Sequence, residues 1–96
     1  MNDSAKLDLD GEFETHRARL RGLAYRMLAS VADAEDIVQD AWLRWHEARF
    51  TPIENTGAYL TRIVTHLCLD RLKSAQKQRE CYVGQWLPEP LLASLD

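Results

Sequence analysis

The chain lacks any apolar run close to the roughly 20 residues that span a bilayer, and no signal-peptide apolar stretch opens it. We therefore expect a cytoplasmic protein with no membrane partner. Its two cysteines, Cys68 and Cys81, both fall on one predicted helix. At 1.5 Å of rise per residue they would lie roughly 20 Å apart, which excludes a disulfide between them. No Cys/His pair has the spacing of a zinc site.

Glycine is also scarce, with 4 residues in 96, and no Gly-rich phosphate loop is present. An EF-hand loop needs a glycine at its sixth position, but none lies between Gly22 and Gly57, where the acidic residues are concentrated. The three histidines, His16, His46 and His66, have no Ser or Cys partner at a recognisable spacing. We therefore predict no catalytic site, no metal site and no cofactor.

Strand-like alternation is absent as well, and helical spacing of apolar residues dominates the chain. It predicts an all-α fold, a small bundle of three main helices. Ser30, with Asp33 three residues later, resembles a capping box and marks the start of the second helix. Asn55 is a good N-cap for the third, roughly Thr56 to Arg79. The predicted buried faces comprise Phe13, Arg17, Leu20, Leu23, Ala24, Met27 and Leu28; Ala34, Ile37, Val38, Ala41, Trp42, Trp45 and Ala48; and Leu60, Ile63, Val64, Leu67, Cys68 and Leu72.

Both ends of the chain differ in composition from its middle. Residues 1–10 are predicted to form a flexible polar lead, and residues 11–82 form one helical domain. Residues 83–96 contain Gly84, Pro88 and Pro90 and are predicted to be a linker tail. No internal repeat appears. This organisation indicates a single domain near the small end of what folds alone.

The chain carries no overall excess of positive charge, since its formal net charge is −3. The distribution along the chain is nevertheless uneven. Residues 17–26 carry four arginines and no acid, residues 33–40 carry four acids and no base, and residues 58–79 carry five Lys or Arg residues against Asp70. Two faces of opposite charge are therefore predicted on the second and third helices.

The acidic face lies opposite the tryptophans of the second helix. At about 100° per residue, its members share one side. They are Asp36, Gln39, Asp40, Leu43 and Glu47. A solvated charged surface is one interpretation of this strip. However, Leu43 gains nothing from a merely solvated face, and the strip lacks the lysines that usually pair with surface acids. A partner with a basic, partly apolar helical surface is the interpretation that we favour.

The third helix presents the opposite sign, with Tyr59, Arg62, His66, Lys73 and Lys77 clustered on one side. An aromatic ring beside cations can stack an unpaired base while the cations follow the phosphates. A charged exterior without a ligand is the alternative. The residues alone leave these two interpretations open.

The segments "LRGLAYRMLAS" and "DAEDIVQDAWLRW", followed by "NTGAYLTRIVTHLCLDRLKS", resemble region 2 of bacterial extracytoplasmic-function (ECF) sigma factors. The resemblance covers residues 13–80. The trailing "YVGQWLPEPL" resembles the linker of the ECF subgroup with a C-terminal SnoaL-like domain, so a longer sigma factor with a further region 4 is expected. In this family, region 2 binds the clamp helices of the largest RNA polymerase subunit, and it recognises and melts the promoter −10 element.

Carried over by position, the resemblance implies polymerase binding by Asp36, Gln39 and Asp40, with Leu43 and Glu47 on the same face. It implies contact with the non-template −10 strand by Asn55, Tyr59, Arg62 and His66. We assign Thr56 to the same DNA surface by its place in the loop, and Lys73 and Lys77 as cations that follow the phosphates. Thr56 and Gly57 stand where the family usually has Pro-Arg, so the base-receiving loop loses a rigid position and a cation.

The function expected from residues and resemblance together is core-enzyme binding and −10 strand separation without catalysis. The alternative is a protein-interaction module that uses the acidic strip alone, with an anti-sigma factor or the protein's own C-terminal domain as partner.

Overall fold

Three helices account for most of the chain. The computed structural model describes the backbone of residues 2–86 and the side chains of residues 10–81. Helix α1 spans Asn2–Leu28, α2 spans Val31–Glu47 and α3 spans Thr56–Trp86. Because no strand occurs in this described part, the all-α prediction with three main helices is confirmed.

The direction of each helix follows from contacts between side chains. Along α1, Asp10 meets His46 and Arg21 meets Glu35, so α2 runs antiparallel to α1. Glu12 meets Thr56 of α3, and Arg19 meets Thr61 further along, so α3 runs parallel to α1. The three helices therefore pack side by side in up-down-up order.

Both predicted N-caps are present. The Ser30 hydroxyl accepts a hydrogen bond from the backbone N–H of Asp33 at 3.2 Å. The Asn55 side-chain oxygen accepts one from the N–H of Ala58 at 2.9 Å. Each cap satisfies a backbone donor that has no partner within its own helix, and this fixes where α2 and α3 begin.

The outer ends of α1 and α3 differ from the prediction. The predicted polar lead is helical from Asn2 onward, and α3 continues past Arg79 to Trp86, so that residues 83–86 of the predicted linker are helical too. No proline interrupts either stretch, and most of the added residues are compatible with a helix. The rest of the predicted linker, residues 87–96, lies outside the described residues.

The buried core lies where the three helices meet. It consists of Phe13, Leu20, Ala24, Ala34, Ile37, Val38, Ala41, Trp45, Leu60, Val64 and Cys68. All of these positions belong to the predicted buried faces. Trp42 is half-buried, and its ring lies 4.0 Å from that of His46, which also contacts Asp10 of α1 at 2.9 Å.

Leu72 is the clearest exception among the predicted core residues, because 39% of it is exposed. Its neighbour Arg71 still reaches Asp33 in the first turn of α2. Since α1 ends at Leu28 and α2 begins at Val31, α3 continues past its neighbours beyond this level. Helical spacing predicts which side of α3 is apolar, but it does not predict how far along the helix the neighbours extend.

Cys68 behaves as a core residue. It is fully buried on the inner face of α3. Burial raises the pKa of the Cys68 thiol, while the nearby Arg71 guanidinium acts in the opposite direction. Desolvation prevails, so the neutral thiol is favoured and this cysteine is expected to be unreactive in the folded protein.

The connection between α1 and α2 contains a strained residue. Ala29 adopts a positive φ of 55°, and its N–H bonds to the carbonyl of Tyr25 at 2.7 Å, which closes α1. The left-handed conformation costs an alanine about 1–2 kcal/mol, whereas glycine adopts it freely. We therefore expect Ala29→Gly to stabilise the fold by about 0.5–1 kcal/mol after the entropy gained by the unfolded chain is subtracted. Urea unfolding measures the change.

Ala18→Gly provides the matched control, since Ala18 is an exposed residue in the middle of α1. There the same substitution should destabilise the fold by about 0.5–1 kcal/mol. Equal losses of stability in the two variants would refute the strain assigned to Ala29.

Candidate interaction surfaces on α2 and α3

The acidic strip is the outer surface of α2. Asp36, Gln39, Asp40 and Glu47 are exposed, and 47% of Leu43 is exposed. The opposite side of the helix, which includes Trp45, is buried in the core. The structure thus brings all five predicted residues together on one accessible side of one helix. Their role in binding a partner stays a prediction.

The acids of α2 differ in how far the rest of the chain already engages them. Arg71 of α3 places its Nη1 atom 3.3 Å from Asp33 Oδ1 and 3.6 Å from Asp36 Oδ2. By contrast, Asp40 and Glu47 form no ion pair with any described side chain. Asp40 and Glu47 therefore combine accessibility with an unneutralised charge, and they are the best placed of these acids to contact a cationic partner.

The predicted nucleic-acid residues of α3 form a shallow cleft against α2. Tyr59, Arg62 and His66 line it together with Asp70, and the apolar residues Ile63 and Leu67 also contribute to its lining. Its volume is about 180 Å³. Tyr59 is half-buried, and its ring lies 6.0 Å from that of Trp45 in the core. The cleft thus combines a supported aromatic ring with the cationic side chain of Arg62.

Polar side chains at the beginning of α3 form hydrogen bonds that stabilise the fold. The Asn55 oxygen caps the helix, which leaves its amide NH₂ group as the donor that could meet a ligand. The Thr56 hydroxyl donates to Glu12 Oε2 of α1 at 2.9 Å. Thr56 therefore faces α1, which makes it a poorer candidate for DNA contact than Asn55 or Tyr59.

Lys73 and Lys77 do not join the cleft. Both are exposed on the part of α3 that continues past α1 and α2. Lys77 lies eleven positions beyond His66, a distance of roughly 16 Å along a helix. The predicted basic face is therefore divided into a cleft and a more distant pair of lysines.

Two arginines from other helices were missing from the sequence prediction. Arg44 of α2 lines the cleft beside Tyr59. Arg19 of α1 donates to Thr61 Oγ1 at 2.7 Å and to the Gly57 carbonyl at 3.3 Å. Neither position has a local sequence signal that connects it to α3, because both contacts depend on how the helices pack.

Gly57 gives Arg19 and His16 room to approach α3. A Cβ atom at this position would lie 3.2 Å from His16 Cε1 and 3.6 Å from Arg19 Nη2. The first distance is tighter than ordinary van der Waals contact, so a larger residue would displace the His16 ring. The guanidinium of Arg19 thus lies beside the backbone of residue 57, where it donates to the Gly57 carbonyl.

Comparison with known proteins gives a consistent family match. The sequence matches the family Sigma-70 region 2 over residues 13–78. Similar proteins of Mycobacterium tuberculosis include "ECF RNA polymerase sigma factor SigJ", which is 53% identical over 88% of this chain and 27% of its own length. "Probable ECF RNA polymerase sigma factor SigI" is 40% identical over 71% of this chain and 23% of its own length. "ECF RNA polymerase sigma factor SigG" is 33% identical over 79% of this chain and 21% of its own length. The chain thus spans about a quarter of the length of these relatives, and no solved structure matches it.

Proposed function

The chain belongs to the Sigma-70 region 2 family, and we propose that it acts as the region 2 of an ECF sigma factor, binding RNA polymerase core and melting the promoter −10 element. The acidic strip of α2 would meet the clamp helices of the largest polymerase subunit. The α3 cleft would hold the non-template strand of the −10 element. Both tasks are binding reactions, so the domain needs no catalytic chemistry of its own.

The observation that carries this proposal is the placement of two oppositely charged surfaces on one packed core. Trp45 belongs to the same helix as the acidic strip, and its buried ring approaches Tyr59 of the cleft. A polymerase bound to α2 would therefore set the orientation in which α3 meets DNA. Rigid placement of this kind lowers the entropic cost of the second binding event.

The free energy that the cleft can supply is similar to the cost of unpairing one base. Taking one base out of a duplex costs a few kcal/mol. Stacking that base on an aromatic ring returns about 1–3 kcal/mol, and cations that follow the backbone add to this. Tyr59 supplies the ring, and Arg62, Lys73 and Lys77 supply charge. A single cleft is adequate to hold one unpaired base in an opened duplex, whereas separating several pairs requires the polymerase as well.

The phosphate contacts and base contacts are expected to differ in their response to mutation. Lys77→Ala should lower the affinity of the polymerase complex for every single strand almost equally and reduce the salt slope by about 0.7. Tyr59→Ala or Asn55→Ala should instead reduce discrimination between −10 variants, because bases rather than phosphates lie at those positions. Fluorescence anisotropy with single-base variants at several salt concentrations measures both quantities.

Holoenzyme formation is measured first for each variant, so that only complexes with equal occupancy of the polymerase are compared. If Lys77→Ala and Tyr59→Ala change affinity and base preference in the same way, the division into phosphate and base contacts is wrong.

The wider protein is part of the same proposal. We infer that the full sigma factor is cytoplasmic and belongs to the subgroup with a C-terminal SnoaL-like domain, on the resemblance of "YVGQWLPEPL" to the linker of that subgroup. None of the described helices is long and apolar enough to cross a membrane. An anti-sigma factor or the C-terminal domain is a second candidate partner for the acidic strip, because the exposed Leu43 suits any basic amphipathic helix.

A further inference from the structure

Arg44 lies on the same helix as the acidic strip, yet its side chain belongs to the other surface. Asp40 precedes it by four residues and Glu47 follows it by three, both at spacings that allow ion pairs on a helix. Among the described side chains, however, Arg44 forms no ion pair. It lines the cleft with Tyr59 and Arg62 instead.

Arg44 and Tyr59 also border a second depression. This one has a volume of about 270 Å³ and is lined in addition by Glu47, Ala48 and Ile63. Each of the two hollows falls below the roughly 300–1,000 Å³ of a typical small-molecule pocket. Neither would enclose a metabolite, whereas a single protruding group such as a base or a phosphate requires only a shallow hollow beside a ring.

The charges around the cleft favour an anion. Arg44 and Arg62 come from different helices and bring two permanent positive charges to it, while Asp70 is the one acid among the described residues that line it. Two guanidinium groups at one cleft repel each other. An anion bound between them attracts both, and this attraction offsets the repulsion. Guanidinium groups suit phosphate oxygens because their donors form a planar fork.

We propose that Arg44 and Arg62 hold one phosphate of the unpaired DNA strand, next to the base that stacks on Tyr59. This inference rests on the proposed DNA-binding function of α3 and adds α2 to the DNA surface. Helix α2 would then contact polymerase with Asp40 and Leu43 and contact DNA with Arg44.

The proposal is tested by replacing the phosphates of the DNA strand, one at a time, with an uncharged linkage. Each strand's affinity is measured for the complex of this chain with polymerase core. Methylphosphonate replaces one phosphate at a time in a single strand that carries the −10 sequence. The parent complex should lose affinity about tenfold at one linkage, as expected for a lost charged hydrogen bond. In the complex with Arg44→Ala, affinity for the natural strand should be about tenfold lower. The same neutral linkage should then cause a clearly smaller loss than in the parent, because only Arg62 still contacts that phosphate.

Two further variants serve as controls. Arg44→Lys keeps the charge and should retain most of the salt slope, while losing part of the affinity that depends on the forked donor. Arg26→Ala removes an exposed arginine in the last turn of α1, which does not line the cleft, and it should leave the scan unchanged. Additive losses from Arg44→Ala and the neutral linkage would overturn the proposal, as would a loss of core affinity in Arg44→Ala with DNA binding intact.

DNA binding by three single variants distinguishes a failure of the Arg44 assignment from a failure of the DNA-binding function of α3, on which that assignment rests. If Tyr59→Ala and Arg62→Ala weaken DNA binding but Arg44→Ala does not, only the role of Arg44 is refuted. If none of the three variants changes DNA binding, the proposed DNA-binding function of α3 fails with it.

Discussion

Trp45→Ala is expected to remove a large part of the free energy of unfolding and to lower the melting temperature sharply. The indole is 3% exposed, and it packs in the core where α2 faces Tyr59 of α3. Truncating a buried tryptophan to alanine costs about 3–5 kcal/mol, because apolar contacts are lost and a cavity remains. A domain of this size has roughly 5–15 kcal/mol of total stability. Circular dichroism during urea or thermal unfolding measures the loss.

Phe50→Ala is the matched control for this experiment, because it also truncates a large aromatic residue. Phe50 lies in the connection before α3 and is 86% exposed. Its removal should change the free energy of unfolding by less than about 0.5 kcal/mol. If Trp45→Ala keeps its stability but loses partner binding, the tryptophan belongs to an interface and its assignment to the core is wrong.

Asp40→Lys is expected to lower the affinity for RNA polymerase core by about 100-fold or more without disturbing the fold. Asp40 is exposed and carries no ion pair within the described chain, so the native structure loses little. At an interface with a basic helical partner, a like charge costs several kcal/mol, and every 1.4 kcal/mol corresponds to a factor of ten. Competition for core enzyme against the parent chain measures the affinity.

Glu14→Lys makes the same change of charge on α1, where Glu14 forms only a surface ion pair with Arg17. It should reduce core affinity far less than Asp40→Lys does. Asp40→Asn should give an intermediate value, because it removes the attraction without adding repulsion. Unchanged core affinity in Asp40→Lys, with helical circular dichroism retained, would refute the polymerase assignment of the strip.

Features that depend on neighbours in the sequence were predictable. Ser30 and Asn55 cap their helices because a side-chain oxygen reaches an N–H three residues away, which is a local event. The exposure of the acidic strip follows equally from helical spacing, since the apolar side of α2 must be buried. The sequence therefore predicts the existence of each helix and the side of α2 that remains accessible.

Features that depend on how far one helix reaches along another were not predictable from the pattern. Arg71 forms ion pairs with Asp33 and Asp36, which lie 38 and 35 positions earlier in the sequence, and no local periodicity predicts these contacts. Arg44 enters the α3 cleft for the same reason. Leu72 is apolar and correctly spaced, yet it lies past the end of its neighbours. Helix packing determines these three outcomes.

The proposed function requires that this chain, bound to polymerase, reads the sequence of a single DNA strand. The most direct test is selection from a pool of random single strands by polymerase core with and without the chain, followed by sequencing. We expect the complex to enrich one short motif that core alone does not enrich, with its preference flattened by Tyr59→Ala. Identical enrichment by core and by the complex would contradict the claim.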